Sequence, residues 1–109
     1  WVPELIRRLD WVSKVYSRVD ESVRFERPPS EQIKDQMAFT PFHHEDVKRL
    51  INDSHEDLYL FSSDYPHVEG TKDPIERFER SISDLDEGLK DKFYSGNFLR
   101  LWADSHSAV

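Results

Sequence analysis

The densest run of chemically capable side chains in this chain is Leu58-Tyr59-Leu60-Phe61-Ser62-Ser63-Asp64-Tyr65-Pro66-His67. An apolar stretch leads into two hydroxyls, a carboxylate and an imidazole, groups that bind metal or move protons. Consecutive apolar residues predict a strand covered on both faces rather than an alternating surface strand. In parallel α/β folds, and above all in eight-fold barrels, reactive groups sit at the carboxyl ends of such strands, and Asp64 takes that position. The same residues also fit plain turn chemistry. Asp and Ser before Pro punctuate loops, and an Asp at a strand end can do no more than cap the next helix or accept backbone N–H bonds.

His67 follows Asp64 by three residues, behind the rigid Pro66, and is a candidate to orient that carboxylate or a bound substrate. His43 and His44 come after a second short apolar run, Met37-Ala38-Phe39-Thr40, closed by Pro41. Either one is a candidate to touch substrate; the plain alternative is a solvent-exposed pair at the start of a helix. Neighbours on an extended segment point to opposite sides, so the two do not act as one paired ligand site. His55, beside Glu56 and Asp57, and His106, near the end, read as bystanders. Ser62 and Ser63 lie outside any Gly-x-Ser-x-Gly elbow, which leaves nucleophilic serine chemistry without support.

The elements that would position these groups follow from periodicity. Leu5, Leu9, Val12, Tyr16 and Val19 form a helical stripe over residues 3–19, with Pro3 suited to the first turn. Trp1 and Trp11 add apolar surface expected to pack against neighbouring structure. A charged loop ending in Pro28-Pro29 leads to a short helix over residues 30–36. Strands are expected at residues 37–40 and 58–62, with a helix over 44–54 carrying Val47, Leu50 and Ile51 between them, which makes a right-handed parallel βαβ unit. Asp73-Pro74-Ile75-Glu76 reads as a capping box opening a helix to about Ser83, with Ile75, Phe78 and Ile82 inward. A further helix over residues 86–94 is expected to stop at Gly96, and Asn97 to cap a last short helix bearing Phe98, Leu101 and Trp102. The tail from Asp104 is expected to fray.

Composition narrows the partners. The 109 residues allow one domain, and 22 acidic against 15 basic side chains give a formal charge of −7. With no basic run, neither nucleic acid nor an anionic membrane is an expected partner. The absence of cysteine removes disulfides, thiolate metal sites and cysteine nucleophiles together. No apolar run approaches the ~20 residues of a membrane span, and a cytoplasmic location is the default expectation. The opening Trp1-Val2-Pro3-Glu4 reads as cut from something longer.

Three stretches are similar to parts of one family. These are Phe61-Ser62-Ser63-Asp64-Tyr65-Pro66-His67, the closing Tyr94-Ser95-Gly96-Asn97-Phe98-Leu99-Arg100-Leu101, and the opening Trp1-Val2-Pro3-Glu4-Leu5-Ile6-Arg7-Arg8-Leu9-Asp10. Together they resemble the metal-dependent hydrolases of the amidohydrolase 2 type, which include decarboxylases related to aminocarboxymuconate-semialdehyde decarboxylase. The first resembles the end of the family's last barrel strand, the second its closing helix, and the third the helix after its sixth strand. The resemblance implies an α/β fold: the C-terminal part of an eight-fold (β/α)8 TIM-type barrel, about two parallel strands with four to five helices. Such a barrel takes about 250 residues, so this chain would not close it and would form one unit over residues 1–109.

The resemblance also implies a divalent metal, typically zinc, for which Asp64 would be a ligand and a catalytic residue. The family's His-x-His pair and further histidine have no counterpart here, so the remaining ligands would lie outside this chain. His67, His43 and His44 would then lie near substrate or behind the first ring of ligands. The expected function is the C-terminal portion of a metal-dependent enzyme that hydrolyses or decarboxylates a small organic substrate, with the fragment inactive alone. The rest of the barrel, or an oligomer partner, would cover the exposed apolar surface. The alternative is a non-catalytic α/β remnant or interaction module, in which Asp64 is a turn residue and exposed aromatic side chains bind a partner.

Overall fold

The structure, a computed structural model, describes residues 1–107. Most of them are helical, and none forms a strand or sheet. The chain divides into two compact units, Trp1–Met37 and Ala38–Val109.

In the first unit, α1 (Val2–Tyr16) carries Pro3 in its first turn, where the missing N–H has no partner to lose. Glu4 near its start and Lys14 near its end both suit the helix dipole. Asp20 then opens a 3-10 turn, Glu21–Val23, by accepting the Ser22 N–H at 2.9 Å. The second helix, α2 (Pro29–Gln36), receives help from the first: Asp10 Oδ1 accepts the Ser30 N–H at 2.8 Å, satisfying one of the amides a helix start leaves open. The stripe expected to face inward is corrected. Val2, Pro3 and Ile6 are buried, whereas Leu5, Leu9 and Tyr16 are exposed and Val19 lies past the helix end. Trp1 and Trp11 are exposed as well. Periodicity identifies the apolar face of a helix, but not what covers it.

In the second unit the α/β expectation is overturned. Where two parallel strands of a TIM-type barrel were expected, the chain makes one isolated parallel bridge, Phe39 with Tyr59. The Phe39 N–H donates to the Leu58 carbonyl at 2.7 Å, and the Leu60 N–H donates to the Phe39 carbonyl at 2.9 Å. Both ends of the pairing are blocked. Pro41 lacks the donor a longer ladder needs, and Leu58 belongs to a 3-10 turn, Glu56–Leu58. The apolar run is buried by helices instead of by neighbouring strands.

Those helices are α3 (Val47–Asp53), α4 (Pro74–Ile82), α5 (Glu87–Asp91) and α6 (Asn97–Ser107), with a π turn, Lys92–Gly96, joining the last two. Asp46 caps α3 through the Arg49 N–H at 3.0 Å, and Asp86 caps α5 through the Leu89 N–H at 3.1 Å. The core is Val47, Ile51, Leu58, Tyr59, Phe78, Ile82 and Phe93. Phe61, Phe78 and Phe93 meet edge to face with centroids 5.2–6.3 Å apart. Burial pushes the Tyr59 phenol up in pKa, and its hydroxyl is paired with Ser54 Oγ at 2.8 Å.

Five local expectations are also corrected. Asp73 stands at the start of α4 but makes no side-chain cap, and Ile75 is exposed while Phe78 and Ile82 are buried. Gly96 does not stop a helix, because the backbone stays helical from α5 through the π turn into α6 as far as Ser107. That includes the stretch from Asp104 expected to fray; its last two residues lie outside the described ones. Asn97 does not cap the last helix from outside it: it has helical backbone angles (φ −65°, ψ −38°) within the continuous run and is 2 % exposed. Its Nδ2 donates to the carbonyls of Glu56 at 2.8 Å and Tyr59 at 3.0 Å.

Lys92, one turn earlier, pairs with both Glu56 and Asp57. Those two hydrogen bonds raise its pKa. Burial pushes the Asp57 carboxyl up in pKa, but the hydrogen bond and charge of Lys92, with His55 and Arg100 nearby, outweigh it and hold the group below the usual carboxylate range. The residues from Glu56 to Tyr59 are therefore gripped by one face of the terminal helical run. Asn97→Ala is expected to leave two carbonyls without their donor and to cost about 1–3 kcal/mol. In urea denaturation it should lower the midpoint with little change in slope; an unchanged midpoint would show that the grip does not matter.

Candidate functional site

The segment gripped at Glu56–Tyr59 runs directly into the Asp64 turn. Phe61 is half-buried and tied to the core: its N–H donates to the Phe93 carbonyl at 2.9 Å, and its ring sits among Phe78, Phe93 and Tyr94. Two hydroxyls then bend the backbone. Ser62 Oγ accepts the Asp64 N–H at 3.3 Å and Ser63 Oγ accepts the Tyr65 N–H at 3.2 Å, the side-chain turn mimicry typical of serine.

Asp64 itself has φ 54°, the left-handed region that residues other than Gly occupy at a cost, Asp less so than most. Strained backbone of this kind persists only where the surroundings over-determine it. Here they do. The His67 N–H donates to the Asp64 carbonyl at 2.9 Å, and the Gly70 N–H to the His67 carbonyl at 3.1 Å. Gly70 packs so closely under the turn that a Cβ there would stand 2.8 Å from the Asp64 carbonyl oxygen and 3.0 Å from that of Ser63. Only glycine permits this approach.

The side chains converge as well. His67 Nδ1 lies 2.9 Å from Asp64 Oδ1, with the Asp64 side chain 36 % exposed and that of His67 72 %. Both line a cleft of about 250 Å³ together with Thr40, Pro41, Phe42, His43, Ser62, Ser63 and Glu69. His43 thus shares the cleft with Asp64 and His67. His44 does not line it; its ring stacks on Phe42 at 5.5 Å and borders a second, shallower hollow with Arg77 and Arg80, which His43 also lines. His55 accepts the Asp57 N–H at 3.2 Å and so closes the 3-10 turn, while the His106 ring lies tilted against Trp102 at 4.5 Å.

Reading the sequence for chemistry missed Gly70 and Glu69. Gly70 was legible only as a loop residue, since the backbone it approaches is six residues away. Glu69 carried no signal beyond its charge.

Asp64 offers one carboxylate to a cation, but among the described residues no three His, Asp or Glu side chains are placed to hold one metal ion. The donors among the described residues would supply one ligand of a metal site rather than a whole one. Among the described residues no helix is long and apolar enough to cross a membrane.

No family model matches the chain. No curated protein matches it either. Among solved structures it is similar to an amidohydrolase from Mycobacterium avium subsp. paratuberculosis K-10, with a TM-score of 0.70 and 28% identity over 90% of this chain. The match spans 24% of that protein's length. The likeness gives this chain an amidohydrolase-like fold and points to a hydrolase-type origin.

Gly70→Ala is expected to push the Ser63–Asp64 backbone out of place, costing about 1–3 kcal/mol as other overpacking substitutions do. Amide NMR shifts should change from Ser63 to His67 and stay put at Phe93 and Asn97. Unchanged shifts in the Asp64 turn would mean that Gly70 does not shape it.

Proposed function

We propose that this chain is the C-terminal portion of a metal-dependent amidohydrolase-type enzyme acting by hydrolysis or decarboxylation on a small organic substrate. Asp64 is its contribution to the metal site. The observation that carries the proposal is the Asp64 turn: a carboxylate on a left-handed backbone, fixed by Ser62, His67 and Gly70 and presented into a polar cleft. A residue that served only as a turn would not need its side chain held by a histidine as well. The likeness to an amidohydrolase at 28% identity supports the same reading.

In this reading Asp64 supplies one oxygen to a divalent ion, zinc by the family resemblance, and the other ligands come from polypeptide outside this chain. A bound zinc ion lowers the pKa of a coordinated water so that hydroxide forms near neutral pH. His67 holds Asp64 Oδ1, which leaves Oδ2 to face the ligand and fixes the carboxylate's orientation. The exposed Trp1, Leu5, Leu9 and Trp11 are surface that the remainder of the enzyme, or a partner subunit, covers. The rival reading, a non-catalytic interaction module, draws on the same exposed aromatic residues and on the lack of three converging ligands among the described residues.

Calorimetric zinc titration separates the two. The isolated chain is expected to bind zinc weakly, because a zinc site takes at least three protein ligands. A longer polypeptide that supplies the other ligands should bind zinc stoichiometrically and lose more than about 100-fold in activity on Asp64→Asn, with His67→Ala losing about 10–100-fold. A longer polypeptide with full activity as Asp64→Asn would remove the proposal. So would tight binding to the isolated chain that survives Asp64→Asn.

A further inference from the structure

We propose that His55 is a proton-operated latch on the turn behind the Asp64 segment: its neutral ring accepts a hydrogen bond from the Asp57 backbone, and its protonated ring donates one to the Asp57 carboxylate instead. The inference concerns the turn alone and stands whether or not Asp64 ligates a metal. His55 Nδ1 accepts the Asp57 N–H at 3.2 Å and lies 3.4 Å from Asp57 Oδ2. One nitrogen thus stands within reach of a donor and of an acceptor, and its own protonation decides which of them it can use.

An acceptor role for Nδ1 puts the proton of the neutral ring on Nε2. A second proton goes to Nδ1, where its N–H would face the Asp57 N–H. Two donors cannot bond, so the backbone contact is lost. The Asp57 carboxylate is the ready replacement. Despite its burial it is held below the usual carboxylate range by the hydrogen bond and charge of Lys92, so it stays ionised while a histidine titrates. Lys92 takes Oδ1 at 2.9 Å, and among the described residues no hydrogen bond goes to Oδ2.

Charged groups reach the turn from three elements around it. Lys92, in the π turn, pairs with Glu56 and Asp57; Arg100, on α6, donates to the Asp57 carbonyl; and Asp53, at the end of α3, pairs with Arg49. The Tyr59 phenol, pushed up in pKa by burial, is bonded to Ser54. Among the described residues Asp57 is the one carboxylate within ion-pair distance of the His55 ring, which is 43 % exposed and open to protons from solvent. What the proton alters is the cap of the 3-10 turn Glu56–Leu58. The Glu56 carbonyl in that turn is one of the two that Asn97 holds, so the latch acts on the anchored residues behind the Asp64 turn.

The test uses the 109-residue chain and its His55→Asn variant, followed by NMR as the pH is lowered from about 8 to 5. Asn places an oxygen where His has Nδ1, so it keeps the cap and cannot take up the proton. Neutral His55 is expected to show the ring nitrogen shifts of the Nε2–H tautomer. As the ring is protonated, the protection factor of the Asp57 amide against hydrogen exchange should fall about five-fold, the worth of one neutral hydrogen bond. The Asp57 side-chain carboxyl carbon signal should move with the same midpoint as the ring. In His55→Asn the Asp57 amide should stay protected throughout.

An Nδ1–H tautomer in the neutral ring would overturn the inference. So would an Asp57 amide or carboxyl signal indifferent to the ring's titration, or Asp57 protection that falls as far in His55→Asn as in the parent chain.

Discussion

Two hydrogen bonds from one buried carboxamide hold the second unit in its working form. Asn97 donates to the carbonyls of Glu56 and Tyr59, on either side of a segment that has the sequence of a strand but no sheet to belong to. Backbone polar groups removed from water have to be paired, and a strand normally pairs them with its neighbours. Here a helix does it. Beside Asn97, Arg100 donates to the Asp57 carbonyl at 3.1 Å, Lys92 pairs with the Glu56 and Asp57 side chains, and the Phe93 carbonyl takes the Phe61 N–H. Lys92 and Phe93 lie in the π turn, where the regular helical ladder is interrupted, as π turns often are at places with a second task.

This grip is what makes the Asp64 turn a fixed object. From Phe61 outward the chain leaves the core, and its direction depends on the anchored residues behind it. Ser62, Ser63, His67 and Gly70 then over-determine a left-handed aspartate within a few residues. Positioning of a reactive group within a fraction of an ångström requires such a chain of constraints running from the core to the side chain. The proposed function asks for one carboxylate held in this way.

The helices were legible in the sequence because a 3.6-residue apolar period and its start signals are local. Pro29, Asp46 and Asp86 begin their helices within a residue or two of where pattern places them. Residues 58–62 misled because a fully apolar run is the signature of burial, not of strands in particular; its length fits either partner. Gly96 and Asn97 misled for a related reason. Gly then Asn is a helix-stop pattern when solvent takes the open backbone groups, whereas here the Asn side chain is committed to carbonyls about forty residues earlier in the chain. Asp64 and His67 were legible as a pair because they are three residues apart. That His43 rather than its neighbour His44 shares their cleft depended on how the chain turns after Pro41, which nothing local determines.

The central claim is that Asp64 is one ligand of a metal completed from outside this chain. Zinc-edge anomalous diffraction from crystals of the longer polypeptide, grown with zinc, tests it most directly. The expected result is an anomalous peak about 2.0–2.2 Å from an Asp64 carboxylate oxygen, with His67 still bonded to the other. A zinc peak bound wholly by other residues, with Asp64 turned only toward His67, would contradict it.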